Sequence, residues 1–369
     1  MKTINEGEAK IIVPLKSIRR NSDVFYNPEM MHARNVVVSF LSIFKKKTDH
    51  DLVVCDPMAA SGVRGIRLLK EVSGIEKVVF NDASPQAVEF IKKNLDLNKI
   101  PKEKYEIENM DCNLLFLERK REFDFIDIDP FGSPVNFLPN VWSALKKDAS
   151  LAVSATDTGA LSGSFKTTCE NRYGVIAEKT DFFKEFGIST LIQAVVRELA
   201  KHDMSFSPLF SHTQHYFRVV GLTSKGKEKT HSNLKNLRLV SYCPSCYSKQ
   251  IGVFEKCPNC KNPNKIIGPM WIGKTKDSGI CDDVLKDMIS RGFRDTKDIY
   301  TCTQEIDEPF YYDIHKICKN LKSEVPKISD FFGKMEKNGF RISRTHLSDL
   351  GFKTDAKITD IENILNSKP

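Results

Sequence analysis

The sequence predicts an α/β fold: a doubly wound, mainly parallel sheet of seven strands, followed by a smaller α+β unit. Three observations carry this. Between residues 52 and 157, short apolar runs that end in an acidic residue alternate with amphipathic helical stretches. The first of those runs leads into a loop of small residues, 57–65. The alternation then closes with two neighbouring strand-like segments, 205–210 and 215–221, which points to an antiparallel final pair.

Before the sheet, residues 10–14 read as a short strand stopped by Pro14. Phe25, Tyr26, Asn27 and Pro28 form an aromatic turn. Pro28 takes the first position of a helix in which Met31, Val37, Val38, Leu41 and Phe44 recur at helical spacing, with Arg34 among them, directed past the helix toward the main unit.

Residues 52–55 form the first sheet strand and end in Asp56. The loop after it, with only Gly62 and Gly65 and no following Lys-Ser/Thr pair, is neither a full G-x-G-x-x-G nor a Walker loop. It is small enough to let a ligand approach the amides that open a helix at 63–72. The second strand, 77–80, leads to Asp82, 82 − 65 = 17 residues after Gly65. That is close to the ~20-residue spacing at which an acidic residue meets ribose hydroxyls. A helix over 84–98 and a third strand at 105–108 follow, and the third strand ends in Asp111 and Cys112. Any one of these acids is as readily a helix cap. Three successive strands ending in Asp form a joint signal, because ligands of open α/β sheets bind at the strands' carboxyl ends.

The fourth strand begins the stretch FDFIDIDPFGSP, residues 123–134. Period-two alternation puts Asp127 and Asp129 on the same side. Asp127 lies within the strand and reads as structural. Asp129 stands at the turn, where Pro130, Gly132 and Pro134 end pairing, and Phe131 follows it. Acid-Pro-aromatic at a strand end is how enzymes that methylate exocyclic amino groups of bases hold the target nitrogen. A helix over 135–146, a fifth strand at 150–154, a polar loop at 158–175 of lid-like length and a helix over 178–202 complete the unit. This order resembles the seven-stranded, Rossmann-like plan of class I S-adenosylmethionine methyltransferases more than the six-stranded dehydrogenase plan. His212 and His215 have no paired metal-ligand spacing and read as strand-end residues.

Residues 224–238 have a linker's composition, which divides the chain into units 1–222 and 223–369. In the second, Cys243 and Cys246, then Cys257 and Cys260, form two C-x-x-C knuckles. Four thiolates complete a tetrahedral Zn²⁺ shell and leave no open position, so the site reads as a closed, structural zinc ribbon. Trp271 reads as a core side chain or a stacking aromatic. Helices are expected at 311–321 and 327–339. Residues 343–346 and 353–357 suit the ends of a small helix-turn-helix or winged helix that grips a phosphate backbone.

The formal charge, 56 − 48 = +8, permits a nucleic-acid partner. The N-terminal MKTINEGEAKIIVP has no apolar core of signal-peptide length, and no stretch approaches the ~20 apolar residues of a membrane span. Six of the ten cysteines are scattered singly, which fits a reducing cytoplasm and not a disulfide framework.

Together the DPFGSP, DPMAASGVRGIR, NDAS, NMDCN and FYNPEMMHAR motifs and the late zinc ribbon resemble the tRNA (guanine(26)-N(2))-dimethyltransferase family, over nearly the whole chain. The resemblance implies that Arg34 and Arg64 hold the methionine part of S-adenosylmethionine, Asp82 its ribose, and Asp111 with Cys112 its adenine. It implies that Asp129 accepts from the guanine N2 amino group, that Phe131 and Phe25 sandwich the extruded base, and that the four cysteines ligate zinc. The second unit would bind tRNA, and the protein would be a cytoplasmic monomer. Two alternatives remain at this point. One is amino-group methylation of another RNA or DNA base. The other is an inactive zinc-ribbon RNA-binding protein, against which the intact Asp82, Asp111 and Asp129 argue.

Overall fold

The structure, a computed structural model, describes residues 1–14 and 24–366. Strands β1 (Lys2–Glu6) and β2 (Ala9–Val13) pair as an antiparallel hairpin. A 3-10 turn at Pro28–Met30, capped by Asn27, leads into α1 (Met31–Lys46). The main unit continues as β3 (Leu52–Asp56), α2 (Val63–Glu71), β4 (Ile75–Asn81), α3 (Pro85–Leu97), β5 (Tyr105–Glu108), α4 (Cys112–Glu118) and β6 (Phe123–Ile128). It closes with α5 (Val141–Ala144), β7 (Leu145–Ala155), α6 (Thr158–Leu161), α7 (Lys166–Tyr173), α8 (Phe183–Ala200), β8 (Met204–Thr213) and β9 (Phe217–Lys225).

The sheet order is β5-β4-β3-β6-β7-β9-β8. The first five strands are parallel, and β9 runs antiparallel to both β7 and β8. Strand order reverses between β3 and β6, so Asp56 and Asp129 meet at the switch point. Both faces are covered. Along β3, Leu52 and Val54 join one apolar core with α1 and α2, while Val53 and Cys55 join another with α8. Gly62 opens α2 at φ +75°, a left-handed conformation that glycine adopts without cost. At Gly65 a Cβ would stand 2.3 Å from the Phe80 ring, so only glycine lets α2 lie this close to β4.

Beyond the sheet come α9 (Lys227–Lys235), β10 (Leu237–Tyr242), β11 (Lys249–Ile251) and β12 (Lys265–Trp271), the strands pairing as β11-β10-β12. Then follow α10 (Ser278–Ser290), α11 (Lys297–Gln304), β13 (Tyr312–Asp313), α12 (Ile314–Leu321), α13 (Ile328–Lys337), β14 (Ile342–Thr345), β15 (Ser348–Thr354) and α14 (Ile358–Asn366). The last six elements gather around their own small core of Tyr312, Ile317, Phe331, Phe352 and Ile361. By contrast, Val240, Met270 and Trp271 join the α8 core, and Cys281, Met288 and Cys302 join the α1 core. No helix among the described residues is long and apolar enough to cross a membrane.

Several local expectations are corrected. The helix expected over 135–146 is a 3-10 turn at Val135–Phe137 and the single turn of α5, because Pro139 has no N–H to continue the helical bonding; Leu145 already opens β7. The polar loop at 158–175 is two short helices that pack on the core through Leu161, Cys169 and Tyr173. The linker-like stretch is the end of β9, then α9, then β10; Asn233 on α9 accepts from Phe206 N at 2.6 Å, which ties it to β8. Trp271 is a core residue whose Nε1 donates to Lys274 O. Most residues expected to grip phosphate are engaged internally. Lys353 is buried between Glu185 and Glu305, and His346 is buried against Glu305. Ser343 accepts from Ile306 N; of this group Arg344, Asp355 and Lys357 are exposed.

Glu185 on α8 fastens the C-terminal unit to the sheet unit. It is buried, accepts from Phe310 N at 2.9 Å and Tyr311 N at 2.8 Å, and pairs with Lys353 at 3.0 Å. Glu185→Ala strands two amides and part of a buried charge. We expect a loss of about 3 kcal/mol, read as a lower denaturation midpoint. A change within about 0.5 kcal/mol, as at an ordinary surface position, would contradict this.

Candidate active site

A cavity of about 420 Å³ opens at the carboxyl ends of β3, β4 and β6 and runs to the start of α4. Arg34, Arg64, Asp82, Asp111, Asp129 and Phe131 all line it, as do Phe25 and Cys112. All eight residues expected from sequence to hold the donor and the base are therefore at one place, although they come from six stretches of chain.

Asp82, just past β4, is held by two amides: Oδ2 accepts from Ala60 N and Oδ1 from Ser84 N, both at 2.9 Å. It ties the small-residue loop to the start of α3. Burial raises its carboxyl, and the two amides oppose the rise. Asp111 caps α4, accepting from Asn113 N at 2.8 Å, and remains exposed. Cys112 is buried beside it.

Arg64, in the first turn of α2, spans three carboxylates. It donates through Nη2 to Asp129 Oδ2; its Nε lies 3.2 Å from Asp127 Oδ2, and its Nη1 lies 3.9 Å from Asp56 Oδ1. Asp127 is in turn gripped at both oxygens by Arg218 of β9, at 2.9 and 2.6 Å, and Arg218 also donates to Ser154 Oγ. Burial opposes ionisation of Asp127, but Arg218 and Arg64 outweigh it and hold its carboxyl below the usual range. Asp56 has no such direct partner. Burial, opposed by Arg64 and reinforced by Asp127 and Asp129, pushes its carboxyl up to about 7.

Arg34 lines the cavity but is engaged elsewhere. Both of its donor edges meet Glu6 at 2.6 Å, and Nη2 also reaches Asn27 O. Glu6 further accepts from Tyr26 OH at 2.8 Å and Arg67 Nη1 at 3.1 Å. The β1–β2 hairpin is therefore part of the cavity's frame.

Phe131 is half-exposed, and the Phe25 ring meets it edge-on with centroids 4.6 Å apart and planes at 77°. The two rings do not stand parallel. They border a second depression of about 700 Å³ that also touches Asn136, Asp157 and Arg172. The Phe131 loop is clasped from β7: Gly132 N donates to Thr156 Oγ1 at 2.6 Å, and Thr156 N donates to Gly132 O at 2.9 Å. Ser133 Oγ donates to Tyr173 OH, which donates to Asp157 Oδ1 at 2.7 Å.

Sequence reasoning missed Glu6, Thr156, Tyr173 and Arg218. The one available signal was Arg218, a charge inside the apolar strand HYFRVVG, where an unpaired guanidinium is untenable.

Away from this cavity, the four knuckle cysteines converge. Cys243 Sγ lies 3.4 Å from Cys260 Sγ and Cys246 Sγ lies 3.5 Å from Cys257 Sγ, with all four within 4.8 Å of one another.

Residues 6–366 match the family described as N2,N2-dimethylguanosine tRNA methyltransferase. A Methanosphaera stadtmanae protein named tRNA (guanine(26)-N(2))-dimethyltransferase is 36% identical over 375 residues, covering 98% of this chain and 96% of its own. A Methanobrevibacter smithii protein of the same name is 33% identical, covering 100% and 97%. The solved structure of Trm1 from Pyrococcus horikoshii in complex with S-adenosyl-L-methionine superposes with a TM-score of 0.89 at 31% identity, covering 99% of this chain and 100% of that one.

The raised Asp56 carboxyl has a pH signature. Between its unfolded value and about 7 the folded chain keeps a proton that the unfolded chain releases, so stability falls as pH rises across that window and levels off above it. Asp56→Asn lacks this loss. The variant's melting temperature relative to the unsubstituted protein should therefore be higher at pH 8 than at pH 5; an offset independent of pH would contradict the assignment.

Proposed function

The chain belongs to the N2,N2-dimethylguanosine tRNA methyltransferase family, and we propose that in its methyl transfer to the N2 amino group of guanine 26 of tRNA, Asp129 takes the amino N–H. The observation that carries this is the convergence of Asp129, Phe131 and Phe25 with Asp82, Asp111 and Arg64 at one cavity. An inactive RNA-binding protein would have no use for that convergence.

S-adenosylmethionine brings a methyl group already attached to its leaving group, so the protein's part is placement and charge. Asp82 and Asp111 stand at the ends of neighbouring strands, where the nucleoside half of the donor would lie. Asp82 uses each oxygen once on backbone, which leaves lone pairs for ribose hydroxyls. Arg64, among its carboxylates, supplies the positive charge nearest Asp129 and is the group for the donor's carboxylate. Arg34 serves the same end indirectly, by locking the Glu6 hairpin against the cavity.

The acceptor is an exocyclic amine conjugated to its ring and is a poor nucleophile. A carboxylate that accepts its N–H strengthens the nitrogen lone pair as it pyramidalises. Asp129 lines the donor cavity, and Phe25 and Phe131 border both that cavity and the depression beyond it. A base extruded from tRNA enters from that side and needs stacking partners. The exposed Phe131 ring turns from its edge-on contact to lie along the base, with Phe25 on the other face.

For the second unit, the donor set fits zinc. Thiolate pairs 3.4 and 3.5 Å apart are near the edges of a tetrahedron with ~2.3 Å Zn–S bonds. The ion would tie β10 to the β11–β12 loop. We assign tRNA contact to this unit and to the rim around Phe131.

Asp129→Ala should abolish methyl transfer while the dissociation constant for S-adenosylmethionine changes little; equal loss of both would contradict the role given to Asp129. Phe131→Ala should lower kcat/KM for tRNA by roughly 10- to 100-fold, in line with ~1–3 kcal/mol per stacked base, with Phe131→Tyr near the unsubstituted value. Full activity of Phe131→Ala would remove the stacking role. Cys257→Ser with Cys260→Ser should release one zinc per chain and lower the melting temperature with donor affinity retained; loss of donor binding would mean the ribbon supports the donor pocket.

A further inference from the structure

At the N-terminal end of α1, two histidines and an aspartate meet. His32 stands in the first turn of α1, His212 near the end of β8 and Asp298 in the first turn of α11. His32 Nε2 is 2.8 Å from Asp298 Oδ2, and His212 Nδ1 is 2.7 Å from the same oxygen. The imidazole centroids are 4.8 Å apart at 47°. Both rings are buried, and Asp298 is nearly so.

We propose that His32 Nε2, His212 Nδ1 and Asp298 Oδ2 form a second metal site, for a divalent transition-metal ion of the zinc, cobalt or manganese type. Three features favour an ion over a cluster that serves only to bond itself. The three donor atoms converge on one point and lie within 4.8 Å of one another. The contacts of 2.7 and 2.8 Å are roughly 0.6 Å short of the ~3.4 Å edges of a tetrahedral shell with ~2.1 Å bonds, so the rings must draw back from Asp298 by that much to admit an ion. The cluster also has an outer layer: Asp298 Oδ1 is fixed by Ile299 N at 2.8 Å, and Asp295 Oδ2 stands 3.5 Å from His32 Nδ1. A carboxylate behind the far nitrogen of a ligating histidine can set its tautomer, and Asp295 needs to close by only about half an ångström to hydrogen-bond there.

Ligation keeps the proton count in balance. In the hydrogen-bonded form Asp298 accepts from the near nitrogen of each ring. An ion in that place displaces both protons to the far nitrogens, His32 Nδ1 beside Asp295 and His212 Nε2, and both rings stay neutral. Those far nitrogens are buried and have no hydrogen-bond partner among the described residues; the same is true of Tyr216 OH, whose ring centroid is 5.6 Å from that of His212. A cavity of about 980 Å³ borders His32, His212, Asp295 and Asp298 and brings water to the remaining coordination positions. Two imidazoles and one carboxylate suit a transition ion better than magnesium or calcium, which favour all-oxygen shells. Unlike the four-cysteine cluster, this site keeps open positions. It fastens α11 of the C-terminal unit to α1 and β8.

Metal content separates the two sites. The protein is loaded with zinc, dialysed against metal-free buffer and analysed by mass spectrometry. His32→Gln with His212→Gln should carry one zinc per chain fewer than the unsubstituted protein, as should Asp298→Asn. Because a variant can lose metal by losing its fold, zinc is also titrated calorimetrically into the folded Cys257→Ser, Cys260→Ser protein. One zinc should bind there, and added zinc should raise its melting temperature. Equal zinc in unsubstituted and histidine-substituted chains, or no binding in the cysteine-substituted one, would overturn the proposal.

Discussion

The site depends on how a buried guanidinium is shared. Arg64 faces Asp56, Asp127 and Asp129, all at the switch point of the sheet. Three carboxylates around one arginine in a dry place cannot all ionise cheaply. The fold resolves this from two sides. Arg218 reaches across from β9 and takes both oxygens of Asp127, while Asp56 is pushed up to about 7 and is largely relieved of its charge at neutral pH. Arg64 is then left to pair with Asp129, which lines the donor cavity. The antiparallel β9 thus does more than complete the sheet, because it supplies a charge that lets the carboxyl end of β6 be acidic.

The same economy frames the rest of the cavity. Glu6 gathers Arg34, Arg67 and Tyr26 and so turns a two-stranded hairpin, marginal on its own, into a wall of the donor site. On the other side, Thr156 and the Ser133–Tyr173–Asp157 chain hold the loop after Asp129 by its backbone and its serine. Phe131 projects from a fixed loop as a half-exposed ring. A rigid carboxylate beside a movable aromatic suits an enzyme that must place one atom closely and still admit a base from a folded RNA.

Much of this was legible in the sequence because the signals are local. Alternation in FDFIDI, a proline stop after Asp129, small residues after β3 and an acid at each strand end each follow from strand geometry, and they converge because parallel strands share an end. Legibility failed where partners are distant. Arg34 lines the donor cavity, but that its guanidinium also meets Glu6, 28 residues earlier, has no local signal. His212 shows no ligand spacing because its neighbours lie in α1 and α11, far away in sequence. Composition misled in two places. The Lys- and Ser-rich stretch after β9 looks like a linker but is a helix pinned by Asn233, and the basic residues around 343–353 look free but are mostly spent on Glu185, Glu305 and backbone. Pro139 was visible and should have broken the helix expected over 135–146.

The central claim is that this cavity methylates the N2 amino group of guanine 26 of tRNA. Its most direct test is to incubate an unmodified tRNA transcript with labelled S-adenosylmethionine and analyse the nucleosides, alongside a transcript in which guanine 26 is replaced by adenine. The account predicts labelled N2-methylguanosine or N2,N2-dimethylguanosine from the first transcript and no comparable label from the second. Label found in methyladenosine, equal label in both transcripts, or no methyl transfer to either would contradict it.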